Sequence, residues 1–123
     1  MCSCRHTRGL KAWQECDRLV LETYQATKSF PKEELYDLTS QVRRAAFSAA
    51  INIVEGSAKR GPREYRRFLD IAIGSIAELG YVFRVARGLR ILSDEDWSRL
   101  DDLRKRAGFL TWRLYRSLNA RGR

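Results

Sequence analysis

The chain has 123 residues, enough for one domain, and 44% of them are hydrophobic, which excludes a disordered protein. Its formal net charge of +9 predicts attraction to polyanions such as RNA or DNA, or to an acidic protein surface. The alternative is that the charge is no more than the solvated surface of an arginine-rich helical protein. Charged residues interrupt every apolar stretch well before the ~18 residues that a membrane span requires, so no span is expected.

Residues 1–8 are predicted to form a disordered tail, which carries two of the three cysteines. Cys2 and Cys4 lie close to His6, but a closed zinc site needs four ligands, usually in two separated pairs, and the chain has no second pair. The tail also lacks the apolar segment of a signal peptide. We therefore expect reduced thiols in a cytoplasmic protein that uses no metal and no cofactor.

Apolar residues that recur every three or four positions predict the first two helices, over residues 10–28 and 39–59. Between them, Pro31 disfavours the helical conformation at Phe30 and suits the start of a new turn. The second helix carries four alanines that allow a neighbouring helix to approach closely: Ala45, Ala46, Ala49 and Ala50.

The third helix is predicted to start near Pro62 and to end near residue 89, and it is apolar on nearly all sides. Such a helix is buried on several sides, which favours contacts with other subunits. The fourth helix is expected to begin at Ser93, whose hydroxyl can cap it with Asp96 as the capping-box partner. The pattern predicts an all-α, antiparallel up-down-up-down four-helix bundle over residues 9–118, assembled as a homo-oligomer, with a basic tail over residues 119–123.

Polar residues form a stripe along the second helix, with two counterparts on the third. The members of this polar stripe are Gln41, Arg44, Ser48, Asn52 and Glu55 on the second helix, and Ser75 and Glu78 on the third. If the two helices are antiparallel about a turn near residue 60, Ser48 lies level with Ser75, and Arg44 can form an ion pair with Glu78.

We interpret the polar stripe as buried residues that specify register and assembly, because buried charges are rare unless they are paired. A ligand-binding or partner-binding role is the alternative. An active site is not expected, since the stripe has no histidine near it, no nucleophile beside a base and no metal-ligand spacing.

Five basic residues surround the predicted turn between the second and third helices: Lys59, Arg60, Arg63, Arg66 and Arg67. Guanidinium groups bind phosphate bidentately, and Tyr65 could stack on an unpaired base, so these five residues are the predicted nucleic-acid-binding site. The alternative is an ordinary solvated helix turn. A second patch on the fourth helix is predicted to be an intersubunit contact or a stacking surface: Arg104, Lys105, Arg106, Trp112, Arg113, Tyr115 and Arg116.

Four segments carry motifs of a known family: residues 30–34 (FPKEE), 38–46 (LTSQVRRAA), 52–57 (NIVEGS) and 68–75 (FLDIAIGS), the last followed by Glu78 and Leu79. Across residues 10–118 the chain thereby resembles the bacterial four-helix-bundle proteins encoded in intervening sequences of large-subunit ribosomal RNA genes. It departs from the family pattern at Asp37, at Val54 and at Gly61-Pro62.

This resemblance implies a homopentamer, a pentameric barrel around a central channel. It also implies kinship with the accessory variability determinants of diversity-generating retroelements, which are basic pentameric barrels that bind a reverse transcriptase and nucleic acid.

The chain is therefore predicted to be a non-enzymatic, homo-oligomeric protein that binds RNA or DNA mainly through the phosphate backbone, as an accessory factor. The alternative function is a protein-interaction scaffold whose basic surface docks an acidic partner such as a reverse transcriptase. The sequence contains no zinc-finger, helix-turn-helix or RNP motif, so little base-specific recognition is expected.

Overall fold

A computed structural model describes residues 7–122 of the chain, and the side chains of residues 11–118. Within this part the chain forms four α-helices and no strand: α1 (Thr7–Thr27), α2 (Leu38–Ser57), α3 (Pro62–Gly88) and α4 (Asp94–Gly122). The all-α fold class is thereby confirmed. The predictions for Cys2, Cys4 and His6 lie outside the described residues.

The predicted helix boundaries agree best for α2 and α3, both of which begin and end within two residues of the expected positions. By contrast, α1 begins at Thr7, three residues earlier than predicted, and α4 continues to Gly122 through most of the segment that was expected to be a tail. Both differences occur where the apolar pattern stops. The prediction ended each helix at its last apolar residue, whereas backbone hydrogen bonds can extend a helix beyond that residue.

The helices pack in a closed order, with α1 on α2, α2 on α3, α3 on α4 and α4 back on α1. Residues from all four helices meet in one core, in which the largest side chains are at most 1% exposed: Leu19, Val42, Leu69, Leu79, Phe83 and Leu100. The register of α2 against α3 is set by two contacts. Ser48 Oγ lies 2.7 Å from Ser75 Oγ, and Gly56 packs on Phe68. Because the later residue of α2 contacts the earlier residue of α3, these two helices run antiparallel. The predicted level pairing of Ser48 with Ser75 is confirmed.

Short connections join the helices. Phe30 is only 8% exposed and holds the link between α1 and α2 against the core, and a 3₁₀ turn at Lys32–Glu34 follows it. The predicted cap of α4 is present, because the Asp96 N–H donates to Ser93 Oγ at 3.1 Å. The capping box is not completed, since the Asp96 carboxylate accepts a hydrogen bond from Arg99 at 3.2 Å instead.

The third helix is less apolar around its circumference than predicted. Leu79 and Phe83 belong to the face that α2 and α4 cover, while the outward face carries charged residues such as Asp70. Ile71 and Tyr81 remain 43% and 67% exposed on that outward side, so part of the apolar surface of α3 is not covered by the other helices. Among the described helices, none is long and apolar enough to cross a membrane.

Cys16 is fully buried where α1 packs on α4. Its Sγ lies 3.7 Å from Thr111 Oγ1, and that hydroxyl donates its own proton to the Ala107 carbonyl at 2.7 Å, so the thiol is the donor of the pair. Burial raises the pKa of Cys16 to about 11, which keeps the thiol neutral and unreactive near neutral pH. No group of three or more potential metal ligands occurs in the part of the chain that the structure describes.

This buried thiol is expected to lower the stability of the protein above about pH 9. The thiol of the unfolded chain ionises near its ordinary pKa of 9.0, whereas the folded thiol keeps its proton up to about 11. The unfolded state loses the proton first, so the unfolding equilibrium constant rises by up to about tenfold per pH unit between these values. Denaturation midpoints of wild type and Cys16→Ala should therefore converge as the pH rises through this window, and a constant difference would contradict the assignment.

Candidate nucleic-acid interface

The predicted binding residues lie where α2 ends and α3 begins. Ser57 is the last residue of α2 and Pro62 the first of α3, so a short connection brings the basic residues close together. We call these residues the basic turn: Lys59, Arg60, Arg63, Arg66 and Arg67. All of them except Arg66 are exposed. Within the described residues, their only ion pair joins Arg67 Nε to Glu64 at 3.3 Å.

Phe68, rather than Tyr65, is the aromatic residue at the centre of the basic turn. The Arg67 guanidinium lies 4.7 Å above the Phe68 ring, and Lys59 Nζ lies 5.3 Å from its centroid. Tyr65 is half-buried and packs against Gly56 and the core, so its ring is not free to stack on a base as predicted. Two of the five cations, Lys59 and Arg67, are thereby held around one half-buried ring.

Arg66 differs from the other members of the basic turn. It is half-buried, and its Nη1 is buried without a hydrogen-bond partner among the residues described. A buried guanidinium nitrogen without an acceptor costs free energy, which an incoming phosphate oxygen would recover. Because Nη1 is itself buried, a phosphate could reach it only after the Arg66 side chain turns outwards.

The polar stripe runs along the seam between α2 and α3, with Ser75 buried, Ser48 and Asn52 half-buried, and its other members exposed: Gln41, Arg44, Glu55 and Glu78. Five of its members line a depression of about 360 Å³: Gln41, Arg44, Ser48, Ser75 and Glu78. Asn52 joins them through its Nδ2, which donates to the Ser48 carbonyl at 2.8 Å and to Ser48 Oγ at 3.1 Å. Glu55 is exposed one turn further along α2.

The expectation that the charges of the polar stripe are buried is wrong for a single chain. Arg44, Glu55 and Glu78 are all exposed. The predicted ion pair between Arg44 and Glu78 does not form within the described part of the chain, because Arg44 Nη2 donates to Ser40 Oγ at 3.2 Å instead. An exposed ion pair contributes only ~0 to 1 kcal/mol, too little to hold two long side chains against a nearer hydroxyl.

The second patch predicted on α4 is not one surface. Arg104 turns towards α3 and pairs with Asp101 at 2.7 Å. Arg106 lies 3.7 Å from Glu15 on the α1 side, and Tyr115 is half-buried against the core. The helical spacing of these residues distributes them over three sides of α4.

Two arginine–aromatic pairs remain exposed on α4. Arg116 lies 5.0 Å above the Trp112 ring, and Arg113 lies 5.7 Å from the centroid of Phe109. The two rings are 6.3 Å apart and tilted by 32°. Phe109 was not among the predicted residues, although its spacing of four from Arg113 is a signal that the sequence contains.

The structure also forms a cleft that the sequence pattern did not indicate, between the end of α3 and the first turns of α4. We call it the arginine cleft, after Arg84, Arg87, Arg90 and Arg104, which line it. The first three of these recur at every third residue along the chain, but Arg104 joins them only through the packing of α4 on α3.

Comparisons with known proteins agree with this architecture. The model of the 23S rRNA-intervening sequence protein family matches residues 8–110. A solved structure of a protein of unknown function from the S23 ribosomal protein family of Bacteroides thetaiotaomicron has a similar fold, with a TM-score of 0.83 at 14% sequence identity. The similarity covers 89% of this chain and 99% of that chain. No curated protein matches this chain at a significant level.

Proposed function

This chain belongs to the 23S rRNA-intervening sequence protein family, and we propose that it binds the phosphate backbone of RNA or DNA without catalysing a reaction. In this proposal the protein acts as a homo-oligomer of antiparallel up-down-up-down bundles, in the pentameric form that the sequence resemblance implies. The basic turn holds the phosphates, and the outward face of α2 and α3 joins the copies.

The observation that carries the proposal is the density of uncompensated cations in the basic turn. Four of its five side chains are exposed, and Glu64 is the only carboxylate paired with any of them in the described part of the chain. Clustered cations of this kind raise the local potential and attract phosphates, whereas nearby acids would balance the cations of a merely solvated turn. The half-buried Arg66 would supply a further donor once its side chain turns towards a phosphate oxygen, because its Nη1 gives up no hydrogen bond to the described residues.

The outward face of α2 and α3 supports self-association. Beside the polar stripe it exposes Phe47 and Tyr81, which are 51% and 67% exposed in the single chain and which a second copy would remove from water. Arg44, Glu55 and Glu78 on this face form no ion pair within the residues described, so opposite charges are available for pairing across an interface. In this proposal a neighbouring copy covers those members of the polar stripe that are exposed in a single chain.

The salt dependence of RNA binding tests the proposal. If about five phosphates are held, the affinity for a structured RNA should fall roughly hundredfold between about 50 and 200 mM salt, because each contact releases counterions. Fluorescence anisotropy with a labelled hairpin RNA measures this fall, and a DNA duplex of the same length shows whether the protein distinguishes the two. An affinity that is independent of salt would contradict backbone binding.

The scaffold alternative predicts a different pair of results. An acidic protein partner, such as a reverse transcriptase, would stay bound to the chain after nuclease treatment, and salt-dependent RNA binding would be absent. Light scattering with and without the RNA tests the assembly separately. A mass five times that of the 14.3 kDa chain is expected, and a monomer would contradict the proposed self-association.

A further inference from the structure

The arginine cleft lies at the opposite end of α3 from the basic turn. It encloses about 890 Å³, within the range of ~300 to 1,000 Å³ that is usual for small-ligand sites. Two carboxylates, those of Asp94 and Asp101, face its four guanidinium groups, so the lining has a formal excess of two positive charges. A cleft of this size and charge is suited to an anionic ligand.

Two of the four guanidinium groups are already held in position. Arg87 lies 4.1 Å above the ring of Trp97, and its Nε donates to Asp94 at 2.9 Å. Since that bond uses Nε alone, the two Nη groups of Arg87 remain as donors. An arginine that is fixed by a ring and a carboxylate loses little side-chain entropy when it binds a ligand.

Arg104 is fixed in a similar way. Its Nε donates to the nearly buried carboxylate of Asp101 at 2.7 Å, and its guanidinium lies directly against Gly80. A Cβ at position 80 would come within 2.7 Å of Arg104 Cζ, so the guanidinium occupies the space that any side chain there would fill.

Arg84 and Arg90 are exposed, and their guanidinium groups form no hydrogen bond or ion pair in the described part of the chain. Arg90 has a φ of 63°, in the left-handed region that favours glycine. This residue lies in the turn that follows α3, where the amides of Ile91 and Leu92 donate back to the Ala86 carbonyl at 2.9 and 3.1 Å. Glycine would adopt this conformation with less strain than arginine, so Arg90 can be replaced by glycine without a cost to the fold.

Trp97 contributes one more unsatisfied group. Its indole N–H is buried and has no acceptor among the described residues, although the residue lines the cleft. We propose that the arginine cleft binds a phosphate group, carried either by a free nucleotide or by an RNA strand. The four guanidinium groups would hold the phosphate oxygens, Arg87 and Arg104 as fixed donors and Arg84 and Arg90 as mobile ones. This inference does not rest on the basic turn.

Titrations with inorganic pyrophosphate, adenosine 5′-monophosphate and a short single-stranded RNA test the inference. Nuclear magnetic resonance can follow the indole N–H signal of Trp97, identified with Trp97→Phe. Arg90→Gly is the decisive variant, because it removes a guanidinium and places glycine at the left-handed position. Its thermal midpoint should equal or exceed that of wild type, while its affinity for the probe falls at least tenfold.

Two further variants complete the test. Arg84→Gln should also weaken binding, whereas Arg113→Gln, an exposed arginine outside the cleft, should bind as wild type does. Binding of pyrophosphate and the monophosphate with this pattern supports a free nucleotide as the source of the phosphate. Binding of the RNA alone, again weakened by Arg90→Gly, supports a strand. If the cleft variants bind all three probes as wild type does, or if no probe binds, the inference is overturned, even if variants of the basic turn lose RNA binding.

Discussion

Glutamine at all five positions of the basic turn is expected to lower the affinity for a structured RNA by at least about hundredfold at low salt. Each phosphate contact contributes about 0.7 to 0.9 to the slope of log K against log salt, so the slope should flatten by about 3.5 to 4.5 if five contacts are lost. Glutamine keeps the side chain long and polar without its charge. Because four of the five residues are exposed, the fold should be retained.

The matched control for this variant removes five positive charges from exposed positions on other parts of the chain: Lys11, Arg18, Lys28, Lys32 and Lys105. The net charge falls from +9 to +4 in both variants, since each loses five charges, so the long-range attraction for RNA is reduced equally. Anisotropy measured over a series of salt concentrations should show the flattened slope only for the basic turn. Equal losses in the two variants would mean that net charge, not this site, holds the RNA.

The second large effect is expected at Gly56, where α2 packs closely on α3 beside the basic turn. A Cβ at this position would lie 2.8 Å from Phe68 Cβ and 3.3 Å from the Tyr65 carbonyl oxygen, and neither atom can move without its backbone. Overpacking of this kind costs about 1 to 3 kcal/mol, which exceeds the gain of at most about 1 kcal/mol that alanine brings to a helix. Gly56→Ala should therefore destabilise the protein by up to about 2 kcal/mol, measured by chemical denaturation.

Gly74 provides the matched control for Gly56. It lies within α3, is exposed, and has no atom within 4 Å of the position of a Cβ. The same substitution, Gly74→Ala, should stabilise the helix by about 0.5 to 1 kcal/mol. Light scattering on each variant separates a change in assembly from a change in the bundle. If Gly56→Ala and Gly74→Ala change the free energy of unfolding in the same direction, the close packing at Gly56 does not control the stability of this end of the bundle.

The two basic sites differ in how the helix dipole acts on them. The basic turn includes the first turn of α3, where the backbone amides favour an anion. The arginine cleft lies between the last turn of α3, whose carbonyl groups disfavour an anion, and the first turn of α4, whose amides favour one. The two helix ends therefore act in opposite directions, and the proposed phosphate site would depend on the excess of four guanidinium groups over two carboxylates.

Much of the fold was predictable from the sequence, because it depends on local periodicity and on short connections. The spacing of apolar residues indicated the four helices, and Pro62 and Ser93 indicated where two of them begin or are capped. A short turn near residue 60 leaves one register for α2 against α3, so the contact between Ser48 and Ser75 could be predicted. The clustering of the basic turn follows from the same short connection.

The surroundings of the long side chains could not be predicted in this way. Numbering placed Arg44 level with Glu78, but the structure directs Arg44 to Ser40. Arg104 was assigned to a surface patch on α4, yet it crosses to α3 because Gly80 leaves the space for it. A long, flexible side chain can reach several partners at similar distances. Which partner it contacts depends on the shape and solvent exposure of the surface formed by helices that are distant in sequence. The sequence by itself therefore determined the family, the helices and their register, while the tertiary structure alone decided which charges are paired, which remain free, and where a cleft opens between them.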